Sequence, residues 1–303
     1  MNKILLIDVD SKIPNIALMK IAKYHRGLGD DVGFSIADPD KIYASVVFRK
    51  NAHRIDGLRV FYPNAKIDVG GGGYSLNKVL PSEIESQSPD YSIYPGCDSY
   101  YGFTTRGCIR HCYFCIVSRK EGSFRRVYRT GREALDNIVG DAQFDKITFL
   151  DNNILADKEW FFEVTDEVIR RGLKVDFNQG LDVRLLDKEI AGRLTELHPY
   201  KPWKFAFDDI RVKDDVLRGI DILRDAGIDT KHKVMFYVYC HDDAHVQDAV
   251  TRCNLLKDHH TTAYSMCNAD RPLSENMKKL KRWTRPQIFW TINYEDYDGR
   301  IQA

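Results

Sequence analysis

A short apolar segment followed by an amphipathic one recurs six times from Tyr101 onward. The apolar segments have the length and the β-branched or aromatic content of buried strands, whereas the segments between them have helical periodicity. Alternation of this kind produces parallel strands joined by helices. The sequence therefore predicts an α/β fold with a partial (β/α)6 barrel, whose strands are expected at residues 101–105, 146–150, 174–178, 203–207, 233–239 and 262–266.

The first part of the chain shows a shorter alternation, with strands predicted at 3–7, 32–36, 44–48 and 65–69 and a helix beginning after Pro14. This pattern predicts a small Rossmann-like parallel α/β domain ahead of the barrel. The segment 82–97 is rich in Ser, Gln, Pro and Gly and is interpreted as a linker. We therefore expect two domains, at residues 1–90 and 91–303, the second with a C-terminal extension.

Charge and hydropathy limit the classes of partner. Lys and Arg number 45 and Asp and Glu 44, so no overall field attracts nucleic acid or an anionic membrane, and an anionic partner needs a local basic patch. The apolar run near the N-terminus covers only four residues, too few for a signal peptide or a membrane span. We expect a cytoplasmic protein that does not engage a membrane.

Three of the seven cysteines, Cys108, Cys112 and Cys115, lie close together after the first barrel strand. Their spacing, C-x3-C-x2-C, is too tight for a disulfide framework, and three thiolates on one loop can bind three irons of a [4Fe–4S] cluster while the fourth iron stays open. Two alternatives remain: a zinc knuckle completed by His111 or Cys97, and a redox-active pair at Cys112 and Cys115. The other cysteines are interpreted as small buried hydrophobes: Cys97, Cys240, Cys253 and Cys267.

The cysteine loop resembles that of the radical S-adenosylmethionine (SAM) superfamily, in which this spacing has an aromatic residue before the last cysteine, here Phe114. The resemblance implies that Cys108, Cys112 and Cys115 bind a [4Fe–4S] cluster, that SAM is the second cofactor, and that Phe114 lies beside its adenine. It also implies reductive cleavage of SAM to a 5′-deoxyadenosyl radical that abstracts hydrogen from a substrate. A one-electron reductant such as flavodoxin or ferredoxin is the implied protein partner.

The loops after the other barrel strands are expected at the same mouth, because parallel strands direct their C-terminal loops to one side. The resemblance places Asn152 and Asn153 where the SAM amino group binds, without the usual Gly-Gly-Glu, and Asp208 where an acidic residue accepts hydrogen bonds from SAM. Four further residues are candidates for catalysis or for binding SAM or substrate: Asp151, Gln179, Asp182 and Arg184. Helix capping is the alternative role for Asp151 and Asp208, and a solvated loop is the alternative for the segment 178–184.

The N-terminal domain resembles the cobalamin-binding domain that precedes the barrel in one radical SAM subclass, with the glycine run at 70–73 in the position of its glycine motif. That subclass takes a cobalt ligand from Asp-x-His-x-x-Gly after the first strand, whereas residues 8–14 contain no histidine here. We therefore expect a degenerate domain that docks on the barrel or closes the site, and no tight, histidine-ligated cobalamin. A cobalamin-type radical SAM methyltransferase stays as an alternative.

The substrate class is predicted from the segment 119–132, which interleaves basic and aromatic side chains and includes Arg125 and Arg126. Because this segment directly follows the cysteine loop, it favours a nucleic acid, or a modified nucleotide within one, steered to the barrel mouth. A small molecule or a peptide is the alternative substrate. A zinc-stapled nucleic-acid-binding module is the non-enzymatic alternative, and a solvated surface would also explain the basic segment.

Overall fold

The computed structural model describes residues 1–268 and 270–299. Its N-terminal part is a sheet of parallel strands in the order β2-β1-β3-β4. These strands are β1 (Lys3–Asp8), β2 (Asp31–Gly33), β3 (Lys41–Ser45) and β4 (Lys66–Gly70). Helix α1 (Ile16–Gly27) packs against the sheet, and it begins where the Asn15 carboxamide accepts a hydrogen bond from Leu18 N at 3.3 Å. Two single-turn helices, α2 (Leu58–Phe61) and α3 (Ser82–Glu85), follow.

Two strands of this sheet lie earlier in the chain than the sequence pattern predicts. The strand predicted at 44–48 is Lys41–Ser45, and the strand predicted at 32–36 is Asp31–Gly33. The first displacement has a local cause in Asp10, whose carboxylate accepts hydrogen bonds from Val47 N at 2.7 Å and from Phe48 N at 3.0 Å. Because these amides bond to a side chain, they do not extend the strand ladder.

The larger part of the molecule contains two further parallel sheets, with the orders β10-β9-β8-β5 and β11-β12-β13. A parallel bridge between Leu181 and Phe205 joins them, with a hydrogen bond from Leu181 N to Lys204 O of 2.7 Å. A short antiparallel pair, β6 with β7, lies beside them. The strands are β5 (Tyr100–Gly102), β6 (Thr105–Arg106), β7 (Arg125–Arg126), β8 (Lys146–Phe149), β9 (Lys174–Phe177), β10 (His198–Pro199), β11 (Trp203–Ala206), β12 (Val234–Cys240) and β13 (Thr262–Cys267).

The six strands predicted for the barrel overlap β5, β8, β9, β11, β12 and β13. The parallel α/β class expected from the sequence is therefore confirmed. The number of strands in the barrel stays a prediction, because the two sheets meet at one bridge in the described residues.

Helices connect the strands as the alternating pattern predicts. Side-chain N-caps fix the start of several of them: Thr130, Asp157, Asp187 and Ser274 each accept a hydrogen bond from a backbone N–H of the first turn. Within the described ranges, none of the helices combines the length and the apolar character that a membrane crossing needs. The helices are α4 (Val117–Lys120), α5 (Gly131–Val139), α6 (Lys158–Arg170), α7 (Lys188–Glu196), α8 (Lys213–Asp225), α9 (Val246–Asp258), α10 (Glu275–Trp283) and α11 (Pro286–Phe289).

Burial alternates along β12 with the two-residue period of a strand. Phe236, Val238 and Cys240 are buried on the face that packs against α9, whereas Tyr237 and Tyr239 on the opposite face are only half-buried. The Tyr237 hydroxyl donates to Asn178 O at 3.1 Å, across the inner side of the sheet. The face of β12 opposite α9 therefore presents the two tyrosines to the inside of the barrel.

The N-terminal sheet and the barrel share one hydrophobic core. The segment interpreted as a linker contributes buried Ile84, Tyr91 and Ile93 to the same cluster as Leu18 of α1 and residues of the barrel helices. The Tyr91 hydroxyl also donates to Ile138 O at 2.7 Å. This segment is thus packed between the two parts, and the division into domains at residue 90 stays a prediction.

Candidate active site

The cysteine loop is closed at its base by backbone contacts that require glycine. Gly107, at its start, has a φ of +74°, and a Cβ there would lie 2.2 Å from Ser123 O. Gly107 N donates to Glu121 Oε2 at 3.1 Å, and β6 before the loop pairs with β7 after it. The loop therefore leaves and rejoins the barrel at one fixed point.

Three half-buried thiols lie on this loop, all free of disulfide bonds. Arg110 N donates to Cys108 Sγ at 3.3 Å and Val117 N donates to Cys115 Sγ at 3.5 Å, so backbone N–H groups are directed at two of the sulfurs. Burial raises the pKa of Cys112, and the neighbouring Cys115 sulfur raises it further. Burial likewise raises the pKa of Cys115, with Cys108 acting in the same direction. The thiols are thus close enough to interact, and bound metal would displace their protons.

Asp151 and Asn152 hold the loops around the cysteines in place. The buried Asp151 carboxylate accepts hydrogen bonds from Thr105 N at 2.5 Å and from the Thr104 hydroxyl at 2.7 Å, among others. Burial raises the pKa of Asp151, and these hydrogen bonds oppose the shift. Asn152 Nδ2 donates to Glu121 Oε2 at 2.7 Å, which ties the loop after β8 to the end of α4. Both side chains are committed to neighbouring protein groups.

Asp182 is the centre of a charged network next to the thiols. Its carboxylate accepts hydrogen bonds from Arg110 Nε at 2.8 Å, from Arg184 Nε at 2.7 Å and from Asn153 Nδ2 at 3.2 Å. Burial alone would raise the pKa of Asp182, but the bonds from Arg184 and Arg110 outweigh it and lower the pKa. A carboxylate flanked by two guanidinium groups therefore connects the cysteine loop to the loops after β8 and β9.

Asn153 has a buried acceptor without a partner. The residue is 3% exposed, and its Nδ2 lies 3.7 Å from Cys108 Sγ and 3.2 Å from Asp182 Oδ2. Its Oδ1 is buried and accepts no hydrogen bond from any described residue. An unmet buried acceptor costs about 1–3 kcal/mol. The position beside Cys108 is therefore suited to a ligand that brings an N–H or ammonium donor.

Aromatic residues and Asp208 form the opposite side of the mouth. Phe114 stacks on Tyr239 with ring centroids 4.2 Å apart and an interplanar angle of 21°. Tyr113 meets Phe114 edge-on and is 70% exposed. Asp208 Oδ1 accepts a hydrogen bond from Tyr239 N at 2.8 Å, and burial raises the pKa of Asp208 to about 6. One face of the Phe114 ring is thus covered by Tyr239, and a flat ligand would meet the other face or the ring edge.

Three candidates from the sequence lie outside this cluster of contacts. Arg126 is bound to Asp157 through bonds of 2.7 and 2.9 Å, and its guanidinium lies over the Trp160 ring. Arg125 is exposed and donates to Glu121 O at 2.6 Å. Gln179 is exposed on the loop after β9, and its side chain makes no hydrogen bond within the described ranges. Asp151 and Asn152 hold neighbouring loops, as described above. The structure brings together the other eight candidates: Cys108, Cys112, Cys115, Phe114, Asn153, Asp182, Arg184 and Asp208.

Arg252 and Glu121 also shape the site, although the sequence did not single them out. Arg252 is 2% exposed and donates to Phe207 O at 2.5 Å and to Tyr239 O at 2.9 Å, so it holds together the ends of β11 and β12. Glu121 binds both Gly107 and Asn152. Arg252 lies on a helix outside the barrel, and no spacing in the sequence connects it to the mouth.

The glycine run of the N-terminal sheet faces the cysteine side of the barrel. A Cβ on Gly71 would lie 2.2 Å from Val46 O and one on Gly73 would lie 2.6 Å from the Phe48 carbonyl carbon, so these glycines let two loops pack closely. A Cβ on Gly72 would lie 3.1 Å from Lys120 Nζ. The loop after β4 therefore packs on the loop after β3 and also meets α4, directly after the cysteine loop.

The fold is shared with a structurally characterised radical SAM protein. The structure of the radical S-adenosylmethionine methyltransferase TsrM from Kitasatospora setae, with cobalamin and a [4Fe–4S] cluster bound, superposes with a TM-score of 0.63 and 12% sequence identity, covering 88% of this chain and 72% of TsrM. No family profile and no curated protein sequence matches the chain. The resemblance to radical SAM enzymes is thereby confirmed at the level of the fold.

Proposed function

We propose that this protein is a radical SAM enzyme in which Cys108, Cys112 and Cys115 hold a [4Fe–4S] cluster. The observation that carries the proposal is a buried acceptor beside three free thiols: Asn153 Oδ1 accepts no hydrogen bond from the described residues, and the Nδ2 of the same amide lies 3.7 Å from Cys108 Sγ. The TsrM-like fold supports it, because that protein binds such a cluster. A one-electron protein reductant, such as a flavodoxin or a ferredoxin, belongs to the same proposal.

The donor set fits a cluster. Within the described ranges, no group of three His, Cys, Asp or Glu side chains is placed to hold a single metal ion. A cubane makes a different demand, because each of its thiolates binds a different iron. The N–H groups of Arg110 and Val117 directed at two of the sulfurs are the kind of contact that stabilises sulfur ligands of such clusters.

The chain's own residues would bind and orient SAM. Asn153 Oδ1 offers an acceptor for the SAM ammonium, and Asp208 offers a carboxylate for the same group or for the ribose. Phe114, fixed by its stack on Tyr239, would contact the adenine. Arg184 is held by Asp182 and is available to a carboxylate near Cys112. When bound, the cluster supplies the electron that cleaves SAM to methionine and the 5′-deoxyadenosyl radical, which abstracts hydrogen from the substrate.

Iron content tests the proposal directly. We expect about four irons per chain after anaerobic reconstitution, and less than about one when all three loop cysteines are replaced by Ala. Cys253→Ala is the matched control, because that thiol is fully buried away from the loop. About four irons retained by the triple variant would refute the assignment. Zinc instead of iron, with no 5′-deoxyadenosine formed from SAM, would support the zinc-stapled module.

Cobalamin-dependent methyl transfer is a second candidate function. It is favoured by the cobalamin in the TsrM structure and by the glycine run at 70–73, which faces α4 here. The loop after β1 offers no imidazole, because residues 8–14 contain no histidine, and Asp10 in this loop binds the backbone of the loop after β3. Incubation of the protein with hydroxocobalamin, followed by desalting and a spectrum, tests this second function. Stoichiometric retention of cobalamin supports methyl transfer, and no retained cobalamin supports our prediction of a degenerate N-terminal domain.

The proposed substrate class is a nucleic acid or a modified nucleotide within one. The supporting observation is the exposure of Arg119, Arg125 and Arg129 directly after the cysteine loop, whereas Arg126 is neutralised by Asp157. Fluorescence anisotropy with labelled oligonucleotides should show binding that falls steeply with salt and is lost when the three exposed arginines become Ala. Lys188→Ala, on α7, is the control. No binding at about 50 mM salt would favour a small molecule or a peptide.

A further inference from the structure

Cys240 and Cys267 are far apart in sequence but face each other in the structure. They end β12 and β13, and they are directly paired in the parallel register of these strands. Neighbouring strands lie about 4.8 Å apart, which is within the Cα separation of about 4.4–6.8 Å that disulfides span. Both thiols are free. Cysteines that serve only as small hydrophobic residues do not have to lie directly opposite each other on neighbouring strands.

The two thiols differ in environment. Cys240 is fully buried between the sheet and α9, and its Sγ donates to Asp242 O at 3.3 Å. Cys267 is half-buried, and its hydrogen bond with Cys240 lowers its pKa, with the Lys281 ammonium acting in the same direction. The same hydrogen bond raises the pKa of Cys240. One thiol is therefore accessible and acidic, and the other is close behind it, which is the arrangement of an attacking and a resolving cysteine.

The pair lies next to the mouth of the barrel. Tyr239 and Met266 are the residues before Cys240 and Cys267, and they are paired in the same register. Tyr239 stacks on Phe114 of the cysteine loop. A covalent bridge across the strand ends would need closer Cβ atoms than a relaxed parallel pair provides, so it would strain this end of the sheet and be readily reduced.

We propose that Cys240 and Cys267 form a redox-active dithiol that a hydroperoxide oxidises reversibly to a disulfide, and that the disulfide displaces Tyr239 from Phe114. The Cys267 thiolate attacks one oxygen of hydrogen peroxide and the O–O bond breaks, which forms a sulfenic acid and releases hydroxide. The hydroxide takes up the proton that the Cys267 thiol had released and becomes the first water. Cys240 then attacks the sulfenic sulfur, the S–O bond breaks, and the second water leaves. Two thiols lose two electrons and two protons, and hydrogen peroxide is reduced to two waters. The effect on the mouth rests on the proposed SAM site, whereas the oxidation does not.

The oxidation is tested by peptide mapping of the anaerobically reconstituted full-length protein after equimolar hydrogen peroxide. We expect a cross-linked peptide joining Cys240 to Cys267, which dithiothreitol reverses, and a dimedone adduct on Cys267 in the Cys240→Ser variant. Cys253 is the matched control, because it is as buried as Cys240 and has no thiol beside it, and it should stay unmodified. Oxidation of the loop cysteines without any link between Cys240 and Cys267 would overturn the proposal.

The effect on the mouth is tested by SAM binding before and after peroxide. We expect affinity to fall on the order of fivefold in the wild type and to be unchanged in the Cys240→Ser, Cys267→Ser double variant. Damage to the cluster would weaken both proteins equally and would overturn the link to Tyr239. A reduced protein that does not bind SAM would count against the proposed function. The cross-linked peptide would still test whether Cys240 and Cys267 form a redox-active dithiol.

Discussion

The two sides of the barrel mouth are built on different principles. On one side, Asp182 binds Arg110, Arg184 and Asn153, so that charged hydrogen bonds brace the cysteine loop against the loops after β8 and β9; we call this the braced wall. On the other side, the inner faces of β12 and β13 present Tyr239, Tyr264 and Met266, of which the last two are 44% and 43% exposed; we call this the aromatic wall.

The two walls suit two different functions, cofactor binding and substrate binding. A site that holds a cofactor within a few tenths of an ångström needs side chains whose positions are fixed by further hydrogen bonds. A surface that receives a substrate needs exposed apolar area without fixed partners. The braced wall meets the first requirement, and the exposed Tyr264 and Met266 of the aromatic wall meet the second. The comparison predicts that changes on the braced wall lower stability and cofactor binding, whereas changes at Tyr264 and Met266 alter the turnover of substrate.

The largest effect is expected at the base of the loop that the braced wall supports. Gly107→Ala forces a Cβ to within 2.2 Å of Ser123 O at a φ of +74°. We expect a loss of about 2–4 kcal/mol in the free energy of unfolding, measured by urea denaturation, together with reduced iron loading. Gly122→Ala is a suitable control, since its φ is also positive but nothing lies within 4 Å of a Cβ there. Equal losses in both variants would remove the close contact as the cause.

Removal of the central carboxylate should have the next largest effect. Asp182→Ala leaves Arg110, Arg184 and the Asn153 amide without their common acceptor. We expect about 2 kcal/mol of destabilisation in the same denaturation assay, discounted because both guanidinium groups are partly exposed. Asp141→Ala, whose ion pair with Lys23 lies at the surface, should leave the free energy of unfolding close to that of the wild type. A similar loss from both would show that the braced wall is no more rigid than the surface.

Asp208 connects the two walls, and its ionisation predicts a pH dependence. Because burial raises its pKa to about 6, the folded protein keeps this carboxyl protonated to a higher pH than the unfolded chain. Asp208 therefore contributes stability at low pH that is lost as the pH rises through about 6. SAM binding to the carboxylate should change in the opposite direction, with affinity falling by up to about tenfold per pH unit below that value.

The measurement is the SAM dissociation constant between about pH 5 and pH 8, for the reconstituted wild type and for Asp208→Asn. The variant should bind more weakly at neutral pH and show a flat profile in the acidic range. A wild-type profile as flat as that of the variant would remove Asp208 from the SAM site.

The smallest effect on stability is expected on the aromatic wall. Tyr264→Ala removes a side chain that is 44% exposed, so the free energy of unfolding should change by no more than about 0.5 kcal/mol. Iron content and uncoupled 5′-deoxyadenosine formation should stay at wild-type values, while coupled turnover of substrate falls. A loss of iron or of SAM cleavage in this variant would erase the distinction between the two walls.

The sequence predicted that the loops after the parallel strands lie near one another. The rule for parallel strands brings the loops after successive strands to one mouth, and the structure indeed brings Asp182, Asn153 and Asp208 to the vicinity of the cysteine loop. It carries no information about which oxygen binds which donor. Asp151 is bound by Thr104 and Thr105, and Arg126 is bound by Asp157, because of loop shapes that no local pattern encodes.

The position of Cys240 opposite Cys267 shows a second limit of prediction from sequence. Each cysteine ends an apolar strand, and by itself each resembles a small core residue. Their pairing depends on the register between two strands, which no spacing in the sequence specifies. Likewise, the segment 82–97 has the composition of a linker, but Tyr91 and Ile93 are buried in the shared core.

The bridge between Leu181 and Phe205 gives the barrel a seam. Backbone ladders run through the sheet on each side of it, whereas β9 and β11 share no ladder. The line between them is crossed by this bridge, by the hydrogen bond from the Tyr237 hydroxyl to Asn178 O, and by the buried ion pair of Lys204 with Asp176. The energy of an ion pair depends less on the angle between its groups than the energy of a backbone hydrogen bond does. The join between the two sheets therefore depends on fewer directional backbone hydrogen bonds than either sheet does internally.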